Sequence, residues 1–152
     1  MFAHLFLVAA IQAAPTTVMD DFKTLCLATK GEPAAVTAAA AAQGGWGEPG
    51  QQSGMTAWSH PTDGGGQRIL AAGEQGAADA VRQACMVVTR PAQADLVGSL
   101  ASQLGGVTQP IEGNAGLFAH ATSAQAYRAG DVTFIGVTSD ADSTTLTAIR
   151  RK

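Results

Sequence analysis

Residues 83–105, QACMVVTRPAQADLVGSLASQLG, constrain the fold more than any other stretch, because they join the strongest strand signal in the chain to its best amphipathic helix pattern. Met86, Val87 and Val88 form a short apolar run with Cys85 beside it. Pro91 stands where a first helical turn tolerates a missing N–H. Leu96, Leu100 and Leu104 recur every four residues beside Val97 and Ala101, giving a helix with one apolar stripe, and Gly105 and Gly106 stop it. The rest of the chain is expected to pack around this strand–proline–helix unit.

The chain has 152 residues, enough for one domain with a single core. Its apolar fraction rests on alanine, aromatics make up 5%, and there are 18 glycines, so the core should be thin and the loops numerous. The formal charge is −3, and the nine Lys and Arg are scattered apart from the terminal run 150–152, which argues against a nucleic-acid surface. The first residues, MFAHLFLVAAIQAAP, carry an apolar run from Phe2 to Ile11 and then small residues, the layout of a secretory signal without the usual basic start. We expect a signal peptide over 1–14 and a single domain over 15–152, periplasmic or secreted. The other reading of the run is a buried or interfacial N-terminal helix, since it is too short to span a bilayer.

Two cysteines, Cys26 and Cys85, fall in the exported part. An even count in an exported protein of thin core suggests one disulfide, and the long loop it closes would make it worth about 4 kcal/mol. Failing that, each cysteine would pack as a small buried hydrophobe.

Along the chain, Thr17 followed by Asp20 resembles a capping box, and Asp20-Asp21 suit the positive end of a helix dipole. Val18, Phe22, Leu25, Cys26 and Thr29 share a face of that helix, so Cys26 should point into the core. Gly31 ends it and Glu32-Pro33 open an alanine-rich second helix whose contact face is Val36, Ala39, Ala40 and Gln43. Residues 44–54 read as loop, with Trp46 folding back as a lid. Residues 55–60 and 67–72 form a hairpin around a glycine-rich turn, and 84–89 a third strand. After the central helix and a loop over 107–116, strands are expected at 117–121, 131–138 and 144–151, with a helical turn at 124–128. This order predicts an α+β fold, with N-terminal helices and one central helix on one side of an antiparallel or mixed sheet of about five to six strands.

Catalytic and ligand patterns are weak. Metal binding needs three or four close ligands, and the two histidines beyond the signal, His60 and His120, stand without HxH, HExxH or a Cys–His cluster, so no metal and no cofactor is expected. Cys85 or Cys26 with His120 as base would be an economical acyl-transfer pair, but both cysteines lie on core-facing patterns that raise a thiol's pKa. The glycines 64–66 lack the Lys-Ser or Lys-Thr of a phosphate loop, and Asp140 and Asp142 suit a turn. Surface recognition remains, with Trp46, His60 and His120 as candidate binding residues and Trp46 the favoured anchor; Trp58, on a strand, reads as core.

The Cys26 helix, the alanine-rich helix ending at Gly45-Trp46, and the Cys85 strand together resemble small secreted proteins of proteobacteria for which no activity is assigned. The resemblance implies an exported compartment and a Cys26–Cys85 bridge, and no catalytic residue. The expected function is a non-catalytic binding or accessory domain of the envelope, whose partner is an envelope protein or a small ligand, with no nucleic acid and no stable membrane span. The alternative is a weak Cys/His or metal-assisted hydrolase.

Overall fold

The computed structural model describes residues 17–76, 81–93, 95–111, 121–139 and 142–151; the expected signal peptide, Phe118, His120 and Asp140 lie outside them. Thr17 caps α1 (Val18–Asp21): its hydroxyl accepts from the Asp20 N–H at 3.1 Å, while the Asp20 carboxylate accepts from the Thr17 N–H at 3.2 Å. The helix runs on as a π-helical segment (Phe22–Leu27), in which the Ala28 N–H reaches back to the Lys23 carbonyl. Val18, Phe22, Leu25 and Cys26 are buried as their spacing predicts. Glu32 then precedes α2 (Pro33–Gln43), which buries Val36 and Ala40.

The third helix, α3 (Leu96–Gln103), is shorter than its sequence pattern. Pro91 stays outside it, after a cis Arg90–Pro91 bond, and the helix springs from Asp95, whose φ is +55°. Leu96, Val97, Leu100 and Ala101 are buried; Leu104 is 49% exposed because it lies beyond the last turn. The Gly106 N–H bonds the Ala101 carbonyl at 2.7 Å, and Gly105 has a φ of +79°, so the two glycines do close the helix.

The sheet has eight strands, all antiparallel, where about five to six were expected. They are β1 (Gly50–Gln52), β2 (Met55–Pro61), β3 (Gln67–Gln75), β4 (Arg82–Arg90), β5 (Gln109–Pro110), β6 (Ala121–Ala129), β7 (Val132–Ser139) and β8 (Ser143–Arg151). Three strands were not expected; two of them, β1 and β5, are short edge strands in segments whose glycine, glutamine and proline content reads as loop, and the third is β6. The helical turn expected at 124–128 is instead the body of β6: Tyr127 pairs with Phe134 across the ladder, and that partner outweighs the low strand preference of Ala and Ser. The expected strand at 117–121 falls almost wholly outside the described residues.

The strand order is β1-β2-β3-β4-β8-β7-β6-β5. Each half is therefore a helical stretch followed by a four-stranded meander, and the meanders meet where β4 pairs β8, with Cys85 opposite Ala148 and Val87 opposite Leu146. Register carries Trp58, Leu70, Val87 and Leu146 along one row of one face, where the three helices cover them. The next row on that face holds Ala72, Cys85, Ala148, Phe134 and Tyr127. Cys26 and Cys85 are bridged, with Cα atoms 5.4 Å apart, so the π-helical segment is fastened to a central strand. The opposite face carries no described helix.

Candidate functional site

Trp46 and His60, far apart in sequence, meet at the β2 edge of the sheet with ring centroids 5.2 Å apart and planes at 75°. Local backbone chemistry brings them there. The Gly47 N–H bonds the Ser59 carbonyl at 2.8 Å, so residues 45–47 run beside the half of β2 that β1 leaves uncovered. Gly45 has a φ of +83°, and a Cβ there would stand 2.3 Å from His60 Nε2, so only glycine lets the loop press against the imidazole. His60 Nδ1 lies 2.7 Å from the Pro61 carbonyl oxygen; with Nδ1 protonated it donates there, leaving Nε2 as the acceptor that faces Gly45. Trp46 is half-buried against the core, and its indole N–H is buried without an acceptor among the described residues. The lid expected of Trp46 is thus a ring wedged at the sheet edge, one side on the core and one on His60.

Behind this pair lies a polar cluster that sequence reading misses. Asp21 is fully buried; its Oδ2 accepts from Arg68 Nη1 at 2.5 Å and its Oδ1 from Gln43 Nε2 at 2.5 Å. Arg68 stands opposite His60 in the β2–β3 register, so the cluster and the aromatic pair share one corner of the covered face. The sequence attributes Asp20-Asp21 to helix capping alone, and for Asp20 that is correct. Asp21, however, stands three residues after Val18 and four before Leu25, on the apolar stripe, which marks it as an inward carboxylate in need of a cation.

At the same end of the strands, one step beyond the His60–Arg68 pair, a cleft of about 720 Å³ is lined by Gly64, Gly65, Gly66, Arg90, Pro91 and Asp142 among others. It brings the glycine-rich turn beside the β7–β8 turn. Gly66 is required sterically: a Cβ would lie 2.7 Å from the Arg90 carbonyl oxygen. Among the described residues no three of His, Cys, Asp and Glu are placed to hold one metal ion. Both cysteine sulfurs are in the bridge, so neither is a thiol nucleophile in this form. His120, the third candidate binding residue, lies outside the described residues.

Fold and corner together define a disulfide-bridged α+β protein, with helices on one face of an antiparallel sheet and an aromatic–imidazole pair at its edge. Comparison of the chain with protein-family models, curated proteins and solved structures found no match.

Proposed function

We propose that this is a small exported domain, periplasmic or secreted, that works by binding an envelope protein or a small ligand rather than by catalysis, as the small secreted proteobacterial proteins it resembles suggest. The observation that carries the reading is the buried Cys26–Cys85 bridge, because such a bond persists in an oxidising compartment and is reduced in the cytosol of most cells. No helix among the described residues is long and apolar enough to cross a membrane, which is compatible with export. The binding residues proposed are Trp46 and His60: a half-exposed aromatic ring packed edge-on against an imidazole at a sheet edge is the kind of anchor that interfaces favour.

Expressed with its own first residues in an exporting bacterial host, the protein should be recovered with a mass that begins near Pro15, and its thiols should label only after reduction. A full-length chain with two freely labelled thiols would overturn the export reading. The alternative of a Cys/His hydrolase loses its thiol nucleophile while the bridge is closed; a hydrolytic rate that disappears in His60→Ala would restore an enzymatic reading and displace the binding one.

A further inference from the structure

The sheet face opposite the helices lies outside the main core and the Trp46 corner; at its β2–β4 side Met55, Ala71 and Ala84 form a small buried cluster, with Ala57 and Met86 partly open beside it. Its middle row, read across the register, is Ala57, Ala71, Met86, Thr147, Ile135 and Ala126. The rows on either side add Ile69, Val88 and Val137, and then Ala84 and Ile149. Serine and threonine, with exposed Ser59 at the β2 end, are the most polar residues in these rows until Arg128 at the β6 end, and Ile69, Met86, Val88, Ile135, Val137 and Ile149 are all partly open to solvent. Monomeric proteins with a one-sided sheet usually alternate apolar-in with polar-out. Here both sides of the alternation are apolar, which marks a surface made to be covered.

Charge on this face is confined to its two ends, and the ends differ in sign. Arg82 and Arg151 are opposite each other at one end, where Arg128 also stands, against Asp131 in the adjoining turn. At the other end the β2–β3 and β7–β8 turns bring Asp63 and Asp142, against Arg90. A uniformly acidic partner would suit the first end and be repelled by the second. A second copy stacked in the same sense would put arginine on arginine, whereas one turned end over end sets each basic end over an acidic one.

We infer that the protein forms a homodimer through this open face, with two sheets packed as a sandwich and their strands running in opposite senses. The size fits. Six long strands about 4.8 Å apart, with about eight residues each at about 3.4 Å, present about 800 Å², which matches the roughly 800 Å² that each partner gives to a stable interface. The contact is the same patch on both copies, so it closes at two and does not propagate. Sandwich packing about 10 Å apart needs small and β-branched side chains that interdigitate, and this face supplies Ala, Thr, Val and Ile.

The test is sedimentation of the oxidised, exported chain across a concentration series, read as mass. The wild-type protein should sediment at twice the chain mass, and Ile135→Lys and Met86→Lys should each give a monomer that keeps its circular dichroism and its bridge. Because a core-strand lysine can also disturb folding, a second pair reads the charge pattern at exposed positions. Arg151→Glu should weaken dimerisation about tenfold, and adding Asp142→Lys to it should restore most of the loss. A wild-type monomer up to about 100 µM, a dimer that survives both lysine variants, or a charge swap that restores nothing would each overturn the proposal.

Discussion

Asp21 brings a carboxylate to a place with no solvent exposure, and Arg68 and Gln43 supply the hydrogen bonds that water would otherwise give it. Removing one partner of such a pair leaves an uncompensated buried charge, whereas removing both can cost little. Arg68→Met should therefore destabilise the protein by about 3 kcal/mol, and Asp21→Leu added to it should recover a large part; urea unfolding of the single and double variants checks this. Asp20 differs from its neighbour in being exposed. Hydrogen bonds from the Thr17 side chain and backbone hold its carboxyl below its ordinary value of 3.8. A carboxyl whose folded value is lowered stabilises the protein above its unfolded value, and that stability is lost as pH falls through the folded one. The urea midpoint should thus drop on acidification below about pH 4, and Asp20→Asn should flatten that part of the profile. The unlike fates of two adjacent aspartates show where sequence reading stops: the capping box is a local spacing, but a buried pair depends on a residue 47 positions away.

Among the elements, α3 shows how a helix is seated. Gly136 on β7 lies directly beneath Val97, and a Cβ there would stand 2.6 Å from Val97 Cγ1, so glycine sets the distance between helix and sheet. Gly136→Ala should cost about 1–3 kcal/mol through overpacking, read as a lower unfolding midpoint, with Gly50→Ala on β1, where a Cβ meets nothing within 4 Å and φ is not positive, as a milder control. The stripe Leu96, Val97, Leu100 and Ala101 was legible because a 3.6-residue period is a property of the helix itself. Its ends were less so: Leu104 matches the stripe but lies past Gln103, and Pro91 matches a first turn but belongs to the connection. Strands β2, β3, β4, β7 and β8 were legible from β-branched runs and turns. β6 was not, because Ala124, Gln125 and Ala126 carry no strand signal of their own and take their conformation from the β7 ladder. The corner was legible in part: Trp46 and His60 were each singled out, but their meeting depends on the Gly47–Ser59 hydrogen bond, which no spacing announces.

In the whole molecule the Cys26–Cys85 bridge spans a sequence separation of 59 and joins the first helical stretch to the middle of the sheet. Replacing both cysteines by alanine should lower stability by about 4 kcal/mol, measured by urea unfolding against the oxidised protein; an equal midpoint for the two would show that helix packing alone holds the N-terminal half in place. The thin core makes that contribution large beside a typical net stability of about 5–15 kcal/mol. The strand order has a further effect. β8 comes last of the strands in chain order but lies fourth from one edge of the sheet, between β4 and β7. Until it arrives, a growing polypeptide holds two separate half-sheets, each ending in a long unpaired border at β4 or β7, and such borders recruit other chains. Loss of β8, by a premature stop or a protease, would therefore split the protein along its middle and leave two adhesive half-sheets for the cell's quality control to clear.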